Sequence, residues 1–430
     1  MMRYALIAIL ALLALLIIAP PLLGTGWQYA LINALIAALF AAAFNLLVGQ
    51  GGMLSFGHAA YFGVGAFTVI HLMQSVEYGD IPFPTVLLPL AGAAVSLLCG
   101  ALAGFFATMR SGVYFALVTL ALAELLHSLA PHWDEMFGGE AGLSSMRMPS
   151  LGFTFGSTLE VYYLTLAWVV ICIGLLYAYT RTPFGRLTLA LRDNEQRIRF
   201  MGFNAHGTKI VVFAISAMFS GVAGSLMAIS NETANYSVFS TQVSALVVLH
   251  TFVGGSTIFF GPIVGACVLS LFTFVVSGVT HSWMLYQGII FVLVMLFAPK
   301  GIGGVIQAHI EQRHALPWKR LAAPYALATL AGLMVACATV FVVQSLEIVL
   351  SREYAAAVAR TGEYAPYTVF AREWQVFHPF TWLFPVLLLV PGLYLLQRAF
   401  ARIKALWDKD DDDDNGDIAA ATQELMEGGR

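Results

Sequence analysis

Few side chains in this 430-residue sequence could do chemistry, and their surroundings say which kind. Glu124 is the one acid deep inside an apolar run, in Leu120-Ala121-Leu122-Ala123-Glu124-Leu125-Leu126-His127. A carboxylate at mid-bilayer costs roughly 2.5–3.5 kcal/mol on insertion scales, so it should turn toward other helices and away from lipid. His127 is three residues on and shares its helical face. Glu124 therefore either anchors a structural hydrogen bond or lines a solute path. His58, His250 and Asn45 have similar settings, where a satisfied bond between helices is the ordinary role. One buried acid is thin equipment for coupling transport to an ion gradient. The chain contains neither G-x-x-x-x-G-K-[ST] nor H-E-x-x-H, so neither a Walker-type ATP site nor a membrane zinc protease is expected. Cys99, Cys172, Cys267 and Cys337 each lie in an apolar run and read as small buried hydrophobes. No catalytic set, metal set or cofactor site emerges from these residues.

Two glycine-rich stretches carry a different signal. One reads Gly51-Gly52-Met53-Leu54-Ser55-Phe56-Gly57-His58-Ala59-Ala60, the other Gly254-Gly255-Ser256-Thr257-Ile258-Phe259-Phe260-Gly261-Pro262. Each is a Gly-Gly pair followed shortly by aromatic-Gly, inside apolar surroundings. Glycine and proline interrupt a helix and free backbone groups. In lipid those groups need partners, so such a break persists only inside protein or beside a wet cavity. Paired interruptions of this kind point to a transporter's substrate path; close helix packing through small residues, as at Gly63-x-Gly65, is the competing explanation. The candidate path residues are Asn45, Gly51, Gly52, Ser55, His58, Glu124, Gly254 and Gly255.

The elements that must position these residues follow from composition. Hydrophobic residues make up 59% of the chain and charged residues 10%, with mean hydropathy +0.81. A soluble domain carries about 45–50% and about 25% respectively. Too few charges remain to cover a soluble surface, which excludes a cytosolic enzyme, a secreted disulfide scaffold and a nucleic-acid binder. The expected fold is all-α, a polytopic membrane protein with about 12 transmembrane segments, some of them broken helices. Apolar runs fall near 4–24, 27–49, 53–73, 84–108, 112–131, 160–180, 208–231, 241–258, 261–278, 283–298, 321–348 and 380–398. The first, with Arg3 before it and Pro20-Pro21 after Ala19, reads as a retained helix and not a cleaved signal peptide. With Arg3 inside, all but Arg147, Arg352, Arg360 and Arg372 of the 21 Lys and Arg residues fall on the inner side. The positive-inside rule then places both termini in the cytoplasm. The chain divides into a core over 1–320, two further spans around an outer loop over 321–398, and an acidic tail over 399–430 that includes Asp410 to Asp414 and reads as solvated and unstructured.

The long inner loop runs Thr182-Pro183-Phe184-Gly185-Arg186-Leu187-Thr188-Leu189-Ala190-Leu191-Arg192-Asp193-Asn194-Glu195-Gln196-Arg197-Ile198-Arg199-Phe200-Met201-Gly202. A proline start and a glycine stop predict one helix, with Leu189, Arg192, Glu195 and Arg199 on a face suited to a partner groove or to anionic lipid. This loop resembles the helix by which permeases of ABC importers engage their ATPase, and is similar to that of the high-affinity branched-chain amino acid permeases of the LivM type. The segment from Leu54 to Ala66 resembles that family's S-x-G-H-A-x-F-x-G-x-G-A signature. Gly112 to Leu120, Gly138 to Leu143, Gly254-Gly255 with Phe260-Gly261-Pro262, and Met295 to Gly301 are similar too, so the resemblance covers about residues 27–305.

The resemblance implies a non-enzymatic permease subunit in the inner (plasma) membrane. It would work in the lipid bilayer with separate ATP-binding cassette subunits, a second homologous permease and a periplasmic or extracellular solute-binding protein. The solutes implied are branched-chain or other hydrophobic amino acids, with urea, short amides or aromatic acids as alternatives; a stand-alone secondary carrier or channel is the reading from another class. Coupling to the ATPase falls to Arg192, Asp193, Glu195, Arg199 and Gly202. Glu195→Arg is expected to uncouple transport from ATP hydrolysis while membrane insertion stays intact; unchanged uptake in vesicles contradicts that assignment.

Overall fold

In the computed structural model the described residues are 2–150, 152–312, 318–370 and 372–427, and the side chains of residues 2–9 and 407–427, Arg3 and the acidic run included, lie outside the described ones. The chain is helical almost throughout. Its helices are α1 (Met2–Ile18), α2 (Thr25–Asn45), α3 (Ala59–Glu77), α4 (Leu88–Ala107), α5 (Val113–Leu129), α6 (Asp134–Phe137), α7 (Thr158–Arg181), α8 (Pro183–Asp193), α9 (Glu195–Phe200), α10 (Ala205–Asn231), α11 (Thr241–Gly254), α12 (Gly261–Ser277), α13 (Trp283–Phe297), α14 (Gly301–Glu311), α15 (Trp318–Val349), α16 (Arg352–Thr361) and α17 (Pro379–Glu427). Two short antiparallel pairs complete it: β1 (Leu143–Ser144) with β2 (Thr233–Ala234), and β3 (Tyr367–Val369) with β4 (Arg372–Trp374).

Among the described residues eight helices are long and apolar enough to cross a membrane, or nine if the α13–α14 pair, bent by 45°, counts as one span. The expectation of about 12 is not confirmed, in part because α11 and α12 are apolar but short, with 14 and 17 residues. At about 1.5 Å per residue these reach only about 21 and 26 Å, against a hydrocarbon core of about 30 Å. The acidic run, expected to be unstructured, has a backbone that continues α17 to Glu427; the helix formers Ala419 to Ala421 and Glu424 to Met426 beyond it favour that continuation.

The chain forms two compact units, one of Met1–Gly278 with Tyr286–Ile306 and the other of Val279–Leu285 with Gln307–Arg430. In the first, α2 and α10 are the central helices, apolar on all sides and largely buried. α10 packs on α2, α3 and α4, and α2 packs also on α7 and α12. Lipid tails are as apolar as leucine, so close approach through small side chains does the work that hydrophobicity does in water. Gly65 of α3 faces the Gly221 backbone of α10, and Gly100 of α4 faces Ala217, so a larger side chain at either glycine would collide. Serines bond across the same faces: Ser225 of α10 shares its proton between the Gly221 carbonyl of its own helix at 2.7 Å and the Gly65 carbonyl at 3.2 Å, and Ser96 of α4 donates to the Tyr61 carbonyl at 3.1 Å. At one end of this unit Arg147 pairs with Glu232 at 3.1 Å and donates to the carbonyls of Ile229 and Ser230, which closes the C-terminus of α10 with a cation.

The second unit is built on α15 packed against α17. The hairpin β3–β4 registers Tyr367 opposite Trp374. Its aromatic core sets Phe341 of α15 at 4.7 Å from Trp374 and 5.1 Å from Phe384 of α17, ring centre to ring centre. Glu347 accepts from the hydroxyls of Thr280 and Ser282 at 3.1 and 2.8 Å.

Candidate functional site

The chain does not pass from α2 to α3 as one helix. After Asn45 it widens into a π-helical turn, Leu46–Gln50, and then unwinds over residues 51–58. Six of the backbone amides from Gly51 to Ala59 find acceptors. Gly51 donates to the Leu46 carbonyl at 3.2 Å, Gly52 to Val48 at 3.1 Å and Met53 to Leu47 at 3.0 Å. Further on, the acceptors are hydroxyls. Phe56 N–H donates to Thr119 of α5 at 3.2 Å, Gly57 N–H to Ser55 at 3.3 Å, and Ala59 N–H to Ser244 of α11 at 3.1 Å. Two hydroxyls from other helices, Thr119 and Ser244, and one from the segment itself, Ser55, therefore stand in for helical bonds, as a break among apolar helices requires.

His58 fastens this segment. It is fully buried among Phe40, Phe44, Tyr61 and Phe213. Its Nε2 lies 2.8 Å from Ser216 Oγ, whose single proton goes to the Ala43 carbonyl at 2.6 Å. Nε2 must then be the donor, and Nδ1 is left to accept from Ser55 Oγ at 3.4 Å. Asn45 is buried at the end of α2, and its Oδ1 finds no hydrogen-bond partner among the described residues.

The second glycine pair meets the first. Gly49, in the π-helical turn, has no room for a Cβ, because both Asn45 Oδ1 and the Ser256 carbonyl stand where it would go. Gly254 lies against the backbone of Gly261 and Pro262. Gly255, at φ +102°, lies against the Lys300 carbonyl and Gly301. The motifs around 254–262 and 295–301 are thus one backbone crossing that only glycine permits.

The segment expected to be a single helix is two. Thr182 caps α8 by accepting from Gly185 N–H at 3.0 Å; α8 ends at Asp193; Asn194 then caps α9 by accepting from Arg197 N–H at 2.9 Å. Gly202, at φ +84°, follows the end of α9. Of the residues singled out here, Arg192 and Glu195 turn toward the helices. Arg192 donates from its guanidinium to the Gly49 carbonyl, and its stem lies against Gly52, where a Cβ would stand 2.9 Å from Arg192 Cγ. Gly52 has φ +66°, a second reason for glycine there. Glu195 accepts from Lys209 Nζ at 2.6 Å and from Arg199 at 2.6 Å, and Lys209 also donates to Ser111 at 2.8 Å. Partial burial raises the Glu195 carboxyl, but the bonds and charges of Lys209 and Arg199 outweigh it and hold the group below its ordinary value. Asp193 is exposed, as are Phe200, Met201 and Phe203; Phe200 is 90% exposed.

A cavity of about 490 Å³ brings Gly51 and Gly52 together with Arg192, Asp193, Glu195 and Lys209. Asn45, Ser55, His58, Glu124, Gly254 and Gly255 are not among its lining residues. Sequence reasoning missed Thr119, Ser216, Ser244 and Lys209. Of these, Ser216 had a visible signal in the serine and glycine spacing of α10, Ser216, Ser220, Gly221, Gly224 and Ser225.

Glu124 stands near the middle of the span Val113–His132 and is partly exposed. Its carboxylate accepts from the Thr241 hydroxyl at the start of α11, and His127 Nδ1 is 4.0 Å away. The hydrogen bond needs an acceptor oxygen but no charge. Glu124→Gln is therefore expected to retain most uptake, whereas Glu124→Leu loses it through an orphaned Thr241 hydroxyl at a cost of about 1–3 kcal/mol. Uptake assays on purified, assembled complexes decide this; an assembled Glu124→Gln complex without transport would show that the charge itself is needed.

Comparison with known proteins agrees with these motifs. The model of the family described as branched-chain amino acid transport system / permease component matches residues 27–299. The high-affinity branched-chain amino acid transport system permease protein LivM of Salmonella typhimurium is 30% identical over 320 residues, covering 68% of this chain and 74% of that protein. LivM of Escherichia coli is 28% identical with the same coverage. More distantly, the galactose/methyl galactoside import permease protein MglC of Haemophilus influenzae is 24% identical over 58% of this chain and 78% of its own length. No solved structure matches. The family match over residues 27–299 and the LivM relatives place the chain in the branched-chain amino acid transport permease family as a multi-pass membrane protein of the LivM type.

Proposed function

We propose that the chain is the membrane permease subunit of an ABC importer that moves branched-chain or other hydrophobic amino acids into the cytoplasm, driven by ATP hydrolysis on separate ATP-binding cassette subunits. In this reading it sits in the inner (plasma) membrane with both termini cytoplasmic, beside a second homologous permease, and receives solute from a periplasmic or extracellular solute-binding protein. Residues 1–320 form the permease core, 321–398 add two membrane helices with an outer loop, and 399–430 form a cytoplasmic acidic tail.

The observation that carries the reading is the α8–α9 pair. It is anchored inward by Arg192 and Glu195 and presents Phe200, Met201 and Phe203 outward. Three large apolar side chains on a short polar helix end are costly in water and suit a groove in a partner. Arg199, Asp193 and Gly202 flank them and complete the ATPase-coupling surface. The solute path would run past the two glycine breaks, with Asn45, Gly51, Gly52, Ser55, His58, Gly254 and Gly255 shaping it and Glu124 at its edge. The import of branched-chain amino acids by the relatives named above supports that solute class.

The test is reconstitution of the chain with its ATPase, partner permease and binding protein in proteoliposomes. Leucine or valine uptake should require ATP on the ATPase side and the binding protein on the other. Phe200→Asp should release the ATPase subunits during purification while the permease still inserts. Uptake independent of both ATP and binding protein would favour a stand-alone carrier.

A further inference from the structure

We infer that Arg192 is a positioning residue that ties the α8–α9 pair to the broken end of α2, so that any displacement of the pair is imposed on the glycine breaks. The inference rests on the reading of α8–α9 as the ATPase-facing element.

Four observations meet at this residue. First, the amides of Gly51, Gly52 and Met53 bond the carbonyls of Leu46, Val48 and Leu47, and beyond them the unwound chain supplies no helical amide to the Gly49 carbonyl. The Arg192 guanidinium supplies a donor to it. A charged donor makes a stronger hydrogen bond to a carbonyl than a neutral one does. Second, the stem of Arg192 lies on Gly52, where a Cβ would come within 2.9 Å of Cγ. Head and stem thus hold both ends of the segment 49–52. Third, the next helix cannot swing independently, because Glu195 bonds Lys209 in the first turns of α10 at 2.6 Å. Lys209 is buried, so this ion pair is shielded from the screening that weakens surface pairs. Fourth, Gly49 abuts the Ser256 carbonyl of the other break. One side chain of α8 therefore bears on the first break directly and on the second through a single backbone contact.

This assignment separates Arg192 from the residues that would touch an ATPase. Its guanidinium is engaged by the Gly49 carbonyl, and the exposed apolar side chains are those of Phe200, Met201 and Phe203. A contact residue and a positioning residue fail differently. Loss of a contact residue costs ATPase binding. Loss of a positioning residue leaves the ATPase bound and hydrolysing but separates hydrolysis from transport.

The experiment uses the whole importer in proteoliposomes, with wild type, Arg192→Gln and Arg192→Met, and reads three quantities: ATPase subunits retained per permease, ATP hydrolysed, and leucine taken up per ATP. Both variants should keep the ATPase at the wild-type ratio and keep hydrolysing ATP. Uptake per ATP should fall roughly tenfold in Arg192→Gln, the factor that one charge-assisted hydrogen bond supplies. Arg192→Met, which keeps an apolar stem on Gly52 but has no donor, should show a fall in the same quantity. If one variant fails to reach the membrane, the other carries the test alone. Wild-type uptake per ATP in either inserted variant overturns the inference, as does loss of the ATPase from Arg192→Gln. A wild-type importer whose uptake ignores ATP would instead refute the reading of the protein as an ABC permease, so the two failures are distinct.

Discussion

A helix interrupted among other apolar helices must find a partner for every backbone group it frees, and much of this permease core is organised around meeting that demand between Asn45 and Ala59. Water is scarce there, and each unpaired amide or carbonyl would cost several kcal/mol on the order of the transfer penalties of polar groups. The helices around the break are accordingly the ones that carry hydroxyls at the right depth: Thr119 on α5, Ser216 on α10, Ser244 on α11. His58 joins the set because its two ring nitrogens can serve one donor and one acceptor at once, between Ser216 and Ser55. The packing of α10 against α3 and α4 through glycine, alanine and serine follows from the same need, since only small side chains let those hydroxyls come close enough.

The break also explains the placement of charge at one end of the molecule. A carbonyl left by the unwound π-helical turn attracts a cation, and Arg192 reaches it from α8. Glu195 and Lys209 then fix the following helix to α10. The result is a rigid attachment of a short polar helix pair to an irregular stretch of backbone. That arrangement suits a machine in which force is applied at a surface and used at a gap between helices. In the proposed importer the solute passes through the permease while the energy is supplied elsewhere, and such an attachment is where the two would meet.

Much of this was legible in the sequence, for identifiable reasons. Gly51-Gly52 and Gly254-Gly255 marked the breaks because glycine pairs in apolar runs have few other uses, and Thr182-Pro183 marked the start of α8. The number of spans was not legible, since α11 and α12 are as apolar as full crossings and differ only in where the glycines stop them. The end of α8 was misplaced although Asn194 has the side chain of an N-cap; the later Gly202 looked like the stronger stop. The inward turn of Arg192 could not be read at all, because its acceptor lies 143 residues away and is a backbone carbonyl. The same holds for Thr119 and Ser244, whose roles are set by amides 63 and 185 residues distant.

The irregular segment 51–59 is held in place by hydroxyls of α5 and α11 on the amides of Phe56 and Ala59. Backbone hydrogen exchange of the complex in nanodiscs tests it most directly. The amides of Phe56 and Ala59, each held by a single side-chain hydroxyl, should exchange as slowly as those in the middle of α10, and Ser244→Ala should speed Ala59 without changing α10. Rapid exchange of Phe56 and Ala59 in the resting complex, at the rate of an open loop, would contradict the account.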